Sequence, residues 1–205
     1  MNKDLKSSYK QAMSCNFCFK HQLIQHGSVI KAQPRWIGSE YFSSDERVCV
    51  LTINPGDIGP KSNILKLKSS DYLNELIELF QNDQLSWIEL MKFLEKDMPN
   101  WGVGNKYMRL YFDYLGLKPN KSAFLNIMLC SAKKKNSRGQ FLNYYSQRTM
   151  QNCFNLHTKK ILEALDPNIV ILSGKFVHEF AERNNFSELF PSIVFKFLGH
   201  YAARG

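Results

Sequence analysis

The sequence predicts an α/β protein, a three-layer αβα sandwich built around a central four-stranded parallel sheet. Two observations support this prediction. Short apolar runs, typical of parallel strands covered on both faces, alternate along the chain with amphipathic segments of helical spacing. The length of 205 residues corresponds to about one domain, and no repeat or long linker divides the chain. We therefore expect a single domain over residues 1–205.

Strands and helices are predicted in alternation. The four predicted strands, three of them near-continuous apolar runs, are Arg47–Ile53, Ser122–Leu129, Asn168–Leu172 and Ile193–Leu198. Between them, apolar residues recur every three or four positions, the period of a helix with one buried face. These helical segments are Asp71–Phe80, Asn105–Leu115 and Met150–Leu165.

Composition narrows the possible partners. No apolar run approaches the roughly 20 residues that span a bilayer, and the N-terminus lacks the apolar core of a signal peptide. We therefore expect a cytoplasmic protein, a monomer without a membrane partner, whose thiols are reduced or bind metal. The net charge of +9 indicates a polyanionic partner. Basic residues in an expected loop after the second strand are candidates for phosphate contacts, namely Lys133, Lys134, Lys135 and Arg138.

The segment Val48–Gly56, VCVLTINPG, is the most informative part of the chain. Its apolar half predicts a buried strand, and the Pro-Gly that follows predicts a tight turn. Ligands bind at the carboxyl ends of the strands in an open α/β sheet. Asn54 is therefore expected to display an uncharged hydrogen-bonding side chain at a binding site, with Ile53, Pro55 and Gly56 forming the loop around it.

This segment resembles the first active-site motif of the uracil-DNA glycosylase superfamily, in the Ile-Asn-Pro-Gly form of its mismatch-specific members. Further segments resemble later motifs of that superfamily, in the same order. They are Pro99–Leu117 with a stacking aromatic, Phe124–Cys130 with a base-reading Asn, Cys153 together with Ile161–Gly174, and His200 in LGHYAARG. Together the matches cover most of the chain and imply the superfamily's αβα fold and glycosylase activity.

The resemblance implies a role for each matched residue. Asn54 orients the attacking water through its amide oxygen, and His200 donates a hydrogen bond to the departing pyrimidine. Asn126 reads the base edge, because one amide offers both a donor and an acceptor, and Trp101 stacks on the flipped base. Arg204 joins the basic residues named above as a DNA contact. An amide does not titrate usefully, so the rate is expected to be modest.

The cysteines indicate a metal centre. Cys15 and Cys18 form a C-x₂-C pair, which favours metal binding in a reduced compartment. The iron–sulfur branch of the superfamily takes its other ligands from positions that match Cys130 and Cys153. The resemblance thus implies a structural [4Fe–4S] cluster on four cysteines; zinc with the same ligands is the alternative. Cys49, inside the first strand, is expected to be a small buried apolar residue.

Departures from the superfamily pattern leave the substrate open. An insertion at about residues 61–98 follows the Asn54 loop, and no bulky wedge residue follows His200. A reshaped pocket would suit a bulky hypermodified cytosine of phage DNA, which would imply defence rather than base-excision repair. The further alternative is a non-catalytic nucleic-acid-binding domain of the same fold. An unrelated nucleotide-binding α/β protein is disfavoured because the chain has no Gly-rich phosphate loop.

Overall fold

The structure is a computed structural model that describes residues 3–21, 23, 25, 26, 29, 31–53, 55, 70–97, 109–135, 141–143 and 146–199. Its strands are β1 Gln25–His26, β2 Val48–Thr52, β3 Ser122–Asn126, β4 Ala132–Lys135, β5 Phe141–Asn143, β6 Ile169–Ser173 and β7 Val194–Leu198. Its α-helices are α1 Lys3–Met13, α2 Phe17–Lys20, α3 Ser70–Gln81, α4 Trp87–Asp97, α5 Gln147–Cys153, α6 Lys159–Leu165, α7 Lys175–Arg183 and α8 Phe186–Leu189. Two segments are π-helical, Arg109–Tyr114 and Phe154–Thr158, and two are 3₁₀-helical, Tyr41–Ser43 and Pro119–Lys121.

The central sheet is four-stranded and entirely parallel, in the order β3-β2-β6-β7. All five residues of β2 and all five of β3 are buried. Successive side chains of a strand point to opposite faces, so both faces of the sheet are covered by other layers at β2 and β3, whereas the edge strand β7 is partly exposed. This confirms the predicted three-layer α/β sandwich and its four-stranded parallel sheet. All four predicted strands are present within one to three residues of their expected ends.

Helices contribute the layers on either side. The segment from α5 through Phe154–Thr158 to α6 is one helical stretch with a π-helical middle, and α1 packs against its second half. Helix α3 contacts both α1 and α4. Ile77, Phe80 and Leu90 of α3 and α4 are fully buried. The described part of the predicted insertion therefore belongs to the same hydrophobic core as the sheet.

One local prediction was wrong, and one predicted helix has a different hydrogen-bonding pattern. The lysine triplet was expected in a loop, but Lys133–Lys135 lies in β4, the middle strand of a small antiparallel sheet of order β1-β4-β5. Backbone pairing on both sides of β4 overrides the low strand propensity of lysine. The helix expected over Asn105–Leu115 is π-helical where it is described, over Arg109–Tyr114. No helix of the described residues is long and apolar enough to cross a membrane.

Candidate functional site

Four of the five cysteines line one pocket, which we call the thiol pocket. Cys15 follows α1, and Cys18 lies in α2. Cys130 follows the buried residues 127–129 that come after β3, and Cys153 is the last residue of α5. The cavity volume is ≈ 20 Å³. The structure thus brings together all four residues that the sequence predicted as metal ligands. Cys49 lies apart from them in β2 and is fully buried, as expected.

Local hydrogen bonds hold the walls of this pocket. The backbone N–H of Cys15 donates to the carbonyl of Ala12 at 3.0 Å, which turns the chain from α1 into α2. On the opposite wall, the N–H of Leu129 donates to the Sγ of Cys153 at 3.3 Å. The carbonyl of Leu129 accepts the N–H of Gln33 at 2.7 Å. Hydrogen bonds between elements far apart in sequence therefore fix the walls around the thiols.

The thiols are close enough to affect one another. Burial raises the pKa of Cys130 well above its usual range, and charge on Cys153, Cys15 or Cys18 would raise it further. Burial also raises the pKa of Cys153 to about 12. Burial and the neighbouring Cys15 raise the pKa of Cys18. Without a cation the pocket favours neutral thiols, and a bound metal would supply the charge that makes them thiolates.

A histidine that the sequence analysis missed also lines the thiol pocket. His157 lies in the π-helical segment and is 7% exposed. Among the described residues, neither of its buried ring nitrogens has a hydrogen-bond partner. Burial, together with the nearby Lys160, lowers the pKa of His157 to about 4, so the ring is neutral at neutral pH. A single histidine on a helix has no distinctive sequence pattern, so no clear signal in the sequence pointed to His157.

The donor set of the pocket fits the metal group that the sequence predicted. Four cysteine sulfurs suit an iron–sulfur cluster or zinc. An N–H donor to a ligand sulfur, as Leu129 provides, is typical of the surroundings of such groups. Within the described ranges, no three His, Cys, Asp or Glu side chains are placed to hold one metal ion in common. The fit therefore lies in the donor chemistry and its convergence on one pocket.

The second candidate region is the carboxyl end of the parallel sheet, here called the carboxyl edge. Buried polar residues end three neighbouring strands there, namely Asn126 of β3, Thr52 of β2 and Ser173 of β6. The Nδ2 of Asn126 donates a short hydrogen bond to the Oγ1 of Thr52. The buried hydroxyls of Tyr111 and Ser173 also share a short hydrogen bond. Polar side chains therefore run along an edge whose strands are otherwise apolar.

One buried polar atom at this edge has no hydrogen-bond partner among the described residues. Asn126 is fully buried, and its Oδ1 has no hydrogen-bond partner in the part of the chain that the structure describes. The main chain at this point is held by Thr158, whose Oγ1 lies 3.2 Å from the carbonyl oxygen of Asn126 and 2.9 Å from that of Ile127. The amide of Asn126 is thus fixed on one side and open to a donor on the other.

Most other predicted site residues lie outside the described residues: Asn54, Gly56, Trp101, Arg138, His200 and Arg204. Ile53 and Pro55 are described and half-buried. For the lysine triplet, the structure describes the backbone of β4. Strands β2 and β7, which precede Asn54 and His200, end at the same carboxyl edge. They are two strand spacings apart, or ~10 Å. Thr52, Ser173 and Tyr111 were not singled out from the sequence.

Comparison with known proteins adds no relative. No protein-family model matches this sequence, and no curated protein matches it.

Proposed function

We propose that this protein is a monofunctional DNA glycosylase that hydrolyses the N-glycosidic bond of a flipped-out pyrimidine, uracil or a modified pyrimidine, and leaves an abasic site. The observation that carries the proposal is the buried amide of Asn126 at the carboxyl edge, with an oxygen that lacks a donor among the described residues. Such an atom costs about 1–3 kcal/mol unless a ligand or water satisfies it. Ligands bind at this edge of open α/β sheets.

The amide of Asn126 defines what kind of base it can contact. One N–H of its N–H₂ group donates to Thr52, and the polar atom without a partner among the described residues is the acceptor Oδ1. Uracil presents a donor at its ring N–H, and cytosine presents one at its exocyclic amine. The edge therefore suits a pyrimidine donor without selecting between the two. This is the reason to retain a bulky hypermodified cytosine of phage DNA as the second candidate substrate.

The remaining roles are those that the family resemblance implies, and the ends of the strands are compatible with them. In the proposal Asn54, after β2, orients the attacking water, and His200, after β7, stabilises the negative charge on the departing base. The two strands end ~10 Å apart at one edge, so side chains reaching inward would meet opposite ends of the scissile bond. Trp101 would stack on the extruded base, which must leave the helix before it can react. The glycosylase needs no covalent intermediate.

The thiol pocket is proposed to hold a [4Fe–4S] cluster on Cys15, Cys18, Cys130 and Cys153, with zinc as the alternative. When bound, the metal group supplies a rigid cross-link between the segments of the chain that line the pocket. Its protein ligands come from α1–α2, from the segment after β3 and from α5. This cross-link would fix the start of β4, because Cys130 precedes β4 by two residues.

DNA is the proposed partner. The net charge of +9 favours a polyanion. The lysines of β4 come shortly after Asn126, the last residue of β3, in the chain. Phosphate contacts from β4 would therefore be close in sequence to Asn126, the proposed base-reading residue. Contacts of this kind position the duplex without reading its sequence.

A base-release panel tests the proposal. The full chain is incubated with oligonucleotides containing uracil, unmodified cytosine or glucosylated hydroxymethylcytosine, both single- and double-stranded, and abasic sites are then cleaved with alkali. Released bases are identified by mass. Asn54→Ala and Asn126→Ala are expected to lose at least ~10²-fold in rate, as when one transition-state hydrogen bond is removed.

Asn168→Ala is the matched control. The Oδ1 of Asn168 accepts the backbone N–H of Arg47 at 2.8 Å, at the opposite, amino end of the sheet. The control should release base like the unchanged chain after correction for its folded fraction. Binding of DNA without release of any base would favour the non-catalytic alternative. Equal rates for the unchanged chain and Asn54→Ala would exclude the proposed mechanism.

A further inference from the structure

The imidazole of His157 is an unexplained polar group in the thiol pocket. Fewer than a tenth of its surface is exposed, and both ring nitrogens are buried without a partner among the residues that the structure covers. A neutral imidazole carries one N–H donor and one acceptor. Buried polar groups of native proteins are nearly always paired. Something other than the described protein atoms is therefore expected to meet this ring.

The backbone at His157 is itself unusual. Phe154–Thr158 is π-helical between two α-helical segments. Such π-bulges are rare and are frequently found at functional sites. The distortion begins directly after Cys153, so it sets where the imidazole lies relative to that sulfur. The same segment is held to the end of β3 through Thr158, which fixes the ring on a rigid support.

We infer that His157 donates an N–H hydrogen bond to a sulfur of the metal group bound in the thiol pocket. The inference rests on the proposed cofactor. His157 is a positioning residue in this role and not a ligand, because the four cysteines complete the set of ligands. The imidazole faces the same pocket as the four sulfurs. Sulfur is the acceptor that the pocket offers once the thiols have lost their protons.

A bound water is the competing partner for the ring. The cavity of ≈ 20 Å³ has room for one. A buried water is held by two to four polar partners. Besides His157, the described side chains that line the pocket are the four cysteines, Asn16 and apolar residues. If water alone met the ring, replacing His157 would change the stability of the chain but not the properties of the bound metal group.

Reconstitution of the full chain separates these possibilities. The protein and its variants are loaded anaerobically with ferrous iron and sulfide, and in parallel with zinc alone. His157→Leu removes the donor, and His157→Gln keeps an N–H donor. His178→Leu is the matched control, since His178 lies on α7, is partly exposed and forms no part of the pocket. Iron and sulfide content, the reduction potential and the rate of metal loss to a chelator are measured.

The expected result is a graded effect. His157→Leu should load less iron and lose it ~10-fold faster, since loss of an outer hydrogen-bond partner typically costs 10–100-fold in metal affinity. Its reduction potential should shift to a more negative value, because hydrogen bonds to the sulfurs raise the potential. His157→Gln should recover part of both effects. His178→Leu should behave like the unchanged chain.

Two results would overturn the inference, and they are distinguishable. If the unchanged chain binds iron–sulfur or zinc and His157→Leu matches it in potential and in rate of metal loss, the inference fails and the proposed cofactor stands. If the unchanged chain binds neither, the cofactor and the inference fail together. Rapid metal loss from His157→Gln equal to that from His157→Leu would also contradict a hydrogen-bond role.

Discussion

The thiol pocket and the carboxyl edge each hold a buried polar side chain with unmet hydrogen-bonding capacity among the described residues, but they differ in what surrounds it. At the carboxyl edge, Asn126 lies beside other buried polar groups, and one of its two polar atoms is already paired with Thr52. In the thiol pocket, neither nitrogen of His157 is paired within the described chain, and the other lining side chains are four cysteines, Asn16 and apolar residues.

This difference indicates what each region is prepared to bind. A half-paired amide on a rigid sheet presents one defined acceptor, which suits recognition of an organic ligand edge. A neutral ring among four thiols, in a pocket whose described lining includes no carboxylate, suits a soft metal–sulfur group. The two regions are joined through Thr158, which follows His157 and lies within hydrogen-bond distance of the main chain at Asn126. Whether damage to one region affects the other is therefore a measurable property of this link.

The largest expected effect is at the thiol pocket. Cys153→Ser keeps an acceptor for the N–H of Leu129 but removes a sulfur ligand. Loss of an outer partner already costs about 10–100-fold in metal affinity, so loss of a ligand should cost more. After anaerobic reconstitution, the variant should retain less than ~10% of the iron of the unchanged chain, as measured by metal and sulfide analysis.

Cys49→Ala is the control for the loss of a buried thiol. Cys49 is fully buried in β2 and takes no part in the pocket. Its replacement should lower the unfolding free energy by about 1–2 kcal/mol through the cavity that it leaves, with unchanged iron content per folded molecule. Full iron content in Cys153→Ser would exclude Cys153 as a ligand.

The next effect is at the carboxyl edge. Thr52→Val is nearly isosteric but removes the hydroxyl that accepts from Asn126. The amide would then have both polar atoms unpaired within the described core, which should lower the unfolding free energy by about 1–3 kcal/mol. Urea denaturation measures this loss. Iron content should stay unchanged, which would show that the two regions are energetically separate.

Thr52→Ser keeps the hydroxyl and serves as the comparison. Thr52→Ser loses a buried methyl group, which should lower the unfolding free energy by about 1 kcal/mol. Comparison of the two variants therefore separates the contribution of the hydrogen bond from that of packing. No loss of stability in Thr52→Val, beside a measurable loss in Thr52→Ser, would mean that the hydrogen bond contributes nothing net to stability. In that case the amide of Asn126 would not be held in one orientation by Thr52.

The fold was predictable because the strands of the central sheet are short apolar runs in the sequence, and such runs become buried strands when the chain packs. Burial of every residue of β2 and β3 is what a near-continuous apolar run encodes. The lysine triplet of β4 carries no such pattern. Its strand forms through pairing with β1 and β5, from residues before and after it in the chain, and no local signal encodes these partners.

The thiol pocket was predictable in part, for a related reason. Cysteine is rare and its spacing is distinctive, so the spacing of Cys15 and Cys18 by itself indicates metal. The convergence of Cys130 and Cys153 with them came from the family resemblance and depends on tertiary packing. His157 was missed because a single histidine on a helix has no distinctive pattern. Only its burial without partners among the described residues singles it out.

The smallest expected effect concerns the attachment of α1, which leads into the thiol pocket at Cys15. Asp83, between α3 and α4, is hydrogen-bonded by Lys10 at 2.5 Å and Lys6 at 3.1 Å, and these contacts lower its pKa. A lowered pKa in the folded state stabilises the fold above the unfolded value near 4, and this contribution disappears as the pH falls through the folded value.

Asp83→Asn tolerates the left-handed backbone there (φ 58°). It should be slightly less stable than the unchanged chain at pH 7, and the difference should be smaller at pH 3, as measured by urea denaturation. An equal difference at both pH values would assign the effect to packing instead of charge. A large loss of iron at pH 7 would mean that the thiol pocket depends on this surface contact, contrary to the rigid support that α5 and β3 provide.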